Sequence, residues 1–298
     1  MKKALLPSLL LLVMLYSCRN EKPVVSDPEN YYRELEEWRS LRLERLKGHN
    51  GWLNLAGLYW LDEGANTFGS DSSNHIIFPE KAAPFCGTIT LQNGICTLQA
   101  LPASGAKADS VPVSELILKD DQSGRPTKIE MGSLGWYIIK RDSLYGIRLR
   151  DYESQAISAL HAIPSYPPDI NWVVRAEYVP YDSAVVLRVP TAIGTLEEYK
   201  CQGEIRFRIN GTKQRLVAST EGNSLFIIMA DATSGRETYG AGRYLSAPLP
   251  DSSGRVILDF NRATNPPCAF TPYATCPMPP KENLLDVAIE AGEKRVGH

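Results

Sequence analysis

Histidine is scarce in this chain of 298 residues: there are four, His49, His75, His161 and His298. None falls within the polar, glycine- and proline-rich loops of the C-terminal third, so a serine or cysteine nucleophile there has no imidazole base to activate it. Zinc is poorly served too. Cys268 and Cys276 lack the close pairwise spacing of a ribbon or finger, and no histidine lies nearby to complete a ligand set. No metal and no cofactor are expected. A positive charge excess is also missing. With 32 basic and 34 acidic residues the formal charge is −2, without the basic footprint of a nucleic-acid binder, and no nucleic-acid partner is expected.

Long apolar runs are absent except at the start, where "LLPSLLLLVMLY" covers Leu5–Tyr16. That is shorter than the ~20 residues a membrane-spanning helix needs. Lys2 and Lys3 precede it and Ser17–Cys18 follow, the layout of a secretory signal with a lipoprotein cleavage box, although Tyr16 is bulkier than the residue such boxes usually carry. The expectation is a signal peptide over 1–17, a lipidated Cys18, and a polar tether over 18–28, "CRNEKPVVSDP". The chain would then sit in the cell envelope with the membrane as its partner through the lipid, at an undetermined face. Loss of Lys2 and Lys3 takes the 32 basic residues to 30 against 34 acidic ones, a net charge of −4. Five cysteines remain beside Cys18, and the odd number leaves at least one thiol unpaired within the chain.

The rest divides into three. "SDPENYYRELEEWRSLRLERLKG" predicts a helix over 29–50, with Asp27 as cap, Pro28 at the first helical position, Gly48 at the stop, and Tyr32, Leu35, Trp38 and Leu46 on its apolar side. Beyond it come short β-like segments separated by turns such as "QNG" at 92–94, "DQSG" at 121–124 and "ING" at 209–211. Pro164, Pro167 and Pro168 in "HAIPSYPPD" mark a boundary between β domains over 51–163 and 164–298. The predicted fold is mainly β: an N-terminal helix followed by two β-sandwich-like domains.

In the first β domain, "TFGSDSSNHIIFPEKAAPFCGTITLQNGICTL" resembles the opening of a forkhead-associated sandwich. The resemblance implies the scaffold but not phosphothreonine binding. Ser70 follows Gly69 where that family carries an arginine, and a phosphate reader without this donor loses its strongest contact. His75 is a candidate ligand or base, or a structural histidine at a strand edge. A two-residue turn at Asn93–Gly94 sets Cys96 opposite Leu91 and Cys86 opposite Leu101, which predicts thiols out of register, on opposite faces and unbonded.

The second β domain concentrates the candidate chemistry. "LFIIMADATSGRETYGAGRYL" predicts a strand over Leu225–Met229 before Asp231, Arg236 and Glu237, then a return through Tyr239, Gly240, Gly242 and Arg243. "GRVILDFNRATNPPCAF" predicts a strand over Val256–Leu258 that delivers Asp259, Asn261, Arg262 and Asn265 into a proline-stiffened loop. Arginines beside glycine-rich turns suit a carboxylate or phosphate, since guanidinium forks bind such groups bidentately and glycine exposes backbone donors. The expectation is a small anionic or polar ligand held by Arg243, Arg262, Asn261, Asn265, Tyr239, Gly240 and Gly242. An envelope hydrolase with Asp231 and Asp259 as acid and base is one alternative. A structural envelope protein, in which these groups are salt bridges pinning long loops, is the other. In an oxidising envelope the seven residues between Cys268 and Cys276 allow a disulfide that would order the loop, with a reduced pair kept for redox or metal work as the competing reading.

Three blocks, "GWLNLAGLYWLDEGANTFGSD", "DATSGRETYGAGRYL" and "LDFNRATNPPCAFTPYATCPMPPKENLLDVAIEAGEKR", resemble the bacterial and archaeal family known as domain of unknown function 1684, over about Tyr32 to Arg295. The resemblance implies no activity. It favours Asp231, Arg243, Asp259, Asn261, Arg262, Cys268 and Cys276 over isolated polar residues.

Overall fold

The computed structural model describes residues 24–297. The apolar run, Cys18 and the tether before Val24 lie outside these residues, as does His298. The architecture is mainly β, with one long helix at the front. Helix α1 spans Pro28–Lys47; the Asp27 carboxylate accepts from the Asn30 N–H at 3.1 Å, and the Gly48 N–H closes the last turn on the Glu44 carbonyl. Asp27 therefore supplies an acceptor to a donor that the helix itself leaves unpaired. Only Leu35 and Leu46 of α1 are buried, so polar contacts do much of the docking.

The first β unit is a sandwich. A six-stranded sheet runs in the order Leu55–Trp60, Leu144–Asp151, Leu134–Arg141, Ile129–Met131, Lys107–Ala108, Val111–Pro112. It faces a five-stranded sheet of Ile76–Ile77, Gly64–Gly69, Gly87–Gln92, Ile95–Ala100 and Glu115–Leu118. One apolar core built around Phe68, Ile89, Leu98, Trp136 and Ile147 lies between them. The Asn93–Gly94 hairpin forms with Leu91 opposite Cys96, and both turn residues have positive φ, as a type I′ turn requires. Cys86 and Cys96 are free thiols, but they share this core instead of taking opposite faces. The reason is Gly87. Its φ of +149° breaks the two-residue alternation at the first residue of the strand, at a place where a Cβ would collide with the Gln99 carbonyl.

The second unit is one antiparallel sheet of six strands, Arg243–Pro248, Ser224–Met229, Thr212–Glu221, Leu196–Ile209, Val173–Pro190 and Arg255–Asp259. It curls until its two edge strands approach each other. The apolar rows along these strands, Ile205, Phe207, Leu216, Ile227, Leu245 and Leu258 among them, fill the concave side. Asn283 pins the loop after the proline run onto the sheet, accepting from the Val217 N–H at 2.7 Å and donating to the Val217 and Ile228 carbonyls. The two units and α1 meet at a third apolar cluster of Leu46, Leu53, Ala269 and Phe270, bordered by Trp52, Ile157 and Tyr239.

Asp27→Ala is expected to lower stability by about 1 kcal/mol, the usual worth of an N-cap, without changing the fold. Urea denaturation followed by circular dichroism measures it.

Candidate functional site

The strand Ser224–Met229 ends by delivering Asp231 into the interior, and Arg243 opens the neighbouring strand beside it. Arg243 Nη2 lies 2.7 Å from Asp231 Oδ2, with the two side chains 0% and 1% exposed. Each partner makes further hydrogen bonds, although the buried Arg243 Nε is left without one. Arg243 donates to the carbonyls of Ile289 (2.9 Å), Ala291 and Glu293 (3.4 Å). Asp231 accepts from the Thr233 N–H and hydroxyl and from the Ile289 N–H. Gly242 must precede Arg243 because its φ is +83° and a Cβ would collide with the Met229 carbonyl. The arrangement clamps the C-terminal tail and presents neither charge to solvent.

The loop after Arg255–Asp259 turns toward α1. Asp259 accepts from the Tyr31 hydroxyl (2.9 Å), the Asn261 N–H (3.1 Å) and Arg262 Nε (3.0 Å). Arg262 lies over the Trp38 ring, 5.3 Å from its centre. Burial, and after it the Asp259 charge, push the Tyr31 phenol well above its ordinary range, so it stays a donor. Asn261 bridges the Tyr31 hydroxyl and the Asp169 carbonyl. Asp231 and Asp259 thus belong to separate networks and share no partner. A paired acid and base acting on one glycosidic bond would need both to face common solvent.

Between α1 and this loop lies a cavity of about 290 Å³, walled by Arg39, Ser40, Arg42, His161, Asn261 and Glu293 among others. Arg42 Nε reaches Glu293 Oε1 at 3.1 Å and its Nη2 donates to the Asn265 carbonyl. Arg39 holds the Tyr166 carbonyl and Glu36. Glu293 also accepts from the Asn265 N–H at 2.6 Å, and Asn265 Nδ2 donates to the Lys294 carbonyl. Burial pushes the Glu293 carboxyl above its ordinary range, against the opposing pull of Arg42.

Of the residues the sequence singled out, the structure brings Asn261 to the cavity and Asn265, Asp259 and Arg262 close behind it. It does not bring the rest. Arg243 is interior, Gly242 packs on the end of the Ser224–Met229 strand, Gly240 sits opposite Gly235, and the Tyr239 hydroxyl donates to the Cys268 carbonyl. His75 lies 3.2 Å from Asp62 at the edge of the first sandwich. Sequence reasoning missed Arg39, Arg42, His161 and Glu293. Arg39 and Arg42, three apart in α1, were the available signal.

Cys268 and Cys276 are adjacent, with separate thiols here. Each backbone N–H points at the other's sulfur, at 3.1 and 3.4 Å. The Cys276 thiol beside it lowers the Cys268 pKa, helped by Arg148, while the hydrogen bond it donates to Cys268, and burial, raise that of Cys276. Arg148 is buried, donates to Thr275 at 3.3 Å and leaves its Nε without a partner.

The fold and site define a mainly β chain with a helix-walled polar cavity. Residues 158–294 match the family described as protein of unknown function (DUF1684), a narrower span than the sequence blocks implied. Structural neighbours include an uncharacterised protein of Haloarcula marismortui solved by NMR, 29% identical, covering 46% of this chain and 78% of that one, with a TM-score of 0.39. They also include forkhead-associated domains. The FhaA FHA domain solved with the intracellular domain of Rv3910 is 19% identical, covering 31% of this chain and 97% of that one at a TM-score of 0.23. The Rv0020c FHA structure is also 19% identical, covering 35% and 98% at 0.22. No curated protein matches the chain.

Arg243→Met and Asp231→Asn should each destabilise by about 3–5 kcal/mol, because one partner is left charged or polar in a closed interior. Thermal and urea unfolding measure this. A variant of either kind with unchanged stability would mean that the pair is not structural.

Proposed function

We propose that this chain is a lipid-anchored cell-envelope protein that binds a small anionic or polar ligand in the cavity between α1 and the signature loops. The observation that carries the reading is the cavity wall itself, where Arg39, Arg42, Ser40, Ser165, His161 and the buried Asn261 line about 290 Å³. Glu293 is the built-in competitor. It pairs with Arg42 Nε, and because burial raises its pKa, protonation as pH falls releases that donor for an external anion. Affinity for an anion should therefore rise as pH falls through the Glu293 pKa. Inorganic phosphate titrated by calorimetry or NMR tests this. Arg42→Ala is expected to weaken binding about tenfold or more, and Glu293→Gln to strengthen it at neutral pH and flatten the pH dependence, with His161→Gln separating any imidazole contribution. Equal affinity in Arg42→Ala and the parent chain would sink the reading.

The sulfur pair belongs to the same proposal. In an oxidising compartment Cys268 and Cys276 would close into a disulfide, which removes two electrons and two protons to a disulfide-bearing oxidant and stabilises by about 2–3 kcal/mol. Mass mapping of unreduced peptides from envelope-derived protein should find the crosslinked pair. Two free thiols in that material would leave the loop ordered by hydrogen bonds alone.

A further inference from the structure

The convex side of the second sheet carries an excess of positive charge. Seven basic side chains against two acidic ones line a shallow groove there, so a chain of net charge −2 has segregated its positive charge onto one face. Register explains how. Arg206 stands directly opposite Arg215, and Arg208 opposite Lys213, across the hairpin of Leu196–Ile209 and Thr212–Glu221. Like charges facing each other across a ladder repel unless an acidic group stands between them. Glu204 lies between Arg206 and Arg215, 2.5 and 3.4 Å away, and is nearly buried. Arg208 donates to the Gly211 carbonyl, and Arg255 pairs with Asp251 at 3.1 Å. Glu177 and Glu282 are the acidic side chains of the groove. The excess remains positive after these are counted.

Val24, the first residue described, lines the same groove. Cys18 is six residues earlier, and an extended chain of that length reaches at most about 20 Å. We infer that the face formed by Arg206, Arg208, Lys213, Arg215 and Arg255 docks on an anionic phospholipid surface, at the side of the molecule from which the anchor leaves. This rests on the reading of Cys18 as the lipidated residue for its geometry, while the charge argument stands without it. A lipid chain alone gives marginal, reversible binding, and a cationic face beside it supplies the second attachment. The contact would fix which side of the protein faces the bilayer.

The test uses the chain from position 18 onward carrying Cys18→Ala, which keeps every described residue and removes the anchor. Sedimentation with vesicles of phosphatidylglycerol and phosphatidylcholine in equal parts should show binding that salt weakens, and vesicles of phosphatidylcholine alone should show none. The triple variant Arg208→Gln, Lys213→Gln, Arg255→Gln, which leaves the Arg206–Glu204 pair intact, should lose roughly fivefold per charge, about a hundredfold in all, with a nearly unchanged melting curve. Equal binding to neutral vesicles, or a folded triple variant that still binds, would overturn the proposal. So would binding to heparin without binding to anionic vesicles, which would assign the face to a soluble polyanion. Mass spectrometry of native protein separates the two readings: an unmodified Cys18 together with salt-sensitive vesicle binding removes the anchor and leaves the face.

Discussion

The buried ion pair of Asp231 and Arg243 is the constraint on which the rest of the C-terminal unit depends. Two charges taken out of water cost several kcal/mol each, and they are tolerated only where nearly every remaining donor and acceptor is met. Here the guanidinium meets three carbonyls of the 289–293 segment and the carboxylate meets the Ile289 N–H. The tail is thereby drawn across the sheet. Residues 164–166 then pair with it, through the Tyr166 N–H on the Gly292 carbonyl and the Lys294 N–H on the Pro164 carbonyl. The path of the tail is thus set by an interaction closed to solvent.

Its consequence is felt at the helix. The tail places Glu293 where Arg42 and the Asn265 N–H both reach it, and Tyr166 where Arg39 can hold its carbonyl. Helix α1 has too few buried apolar side chains to dock by hydrophobic area alone, so these polar contacts and the Tyr31–Asp259 bond fix its position. A helix held by hydrogen bonds leaves space between its contacts. The cavity is that space, and its polarity follows from what holds the helix.

Local features of this fold were legible in the sequence because their causes are local. The Asp27–Pro28 start and Gly48 stop, the Asn93–Gly94 and Asn210–Gly211 turns and the strand at 224–229 are each specified by a few neighbouring residues. The destination of Arg243 was not legible, since its partners are main-chain carbonyls about 50 residues away that any sequence could supply. Gly87 hid the shared core of Cys86 and Cys96, because an alternation rule has no means of seeing a positive φ. For a related reason, Arg39 and Arg42 are not singled out. Nothing near them in the sequence indicates that Glu293 and the Tyr166 carbonyl will be folded against them.

The cationic face is an intermediate case. In "EIRFRINGTKQRL" basic and apolar residues alternate up to an Asn-Gly turn, and basic residues recur two apart after it. Period-two patterning sends Phe207 and Ile209 inward and Arg206 and Arg208 outward, and the two-residue turn fixes the register so that Lys213 and Arg215 fall opposite them on that same outer side. Turn type and alternation together therefore determine a charge cluster that net charge averages away. A sum over the whole chain excludes a uniformly basic protein, but it carries no information about one basic face. In a β protein, that information lies in the parity of charged positions about each tight turn.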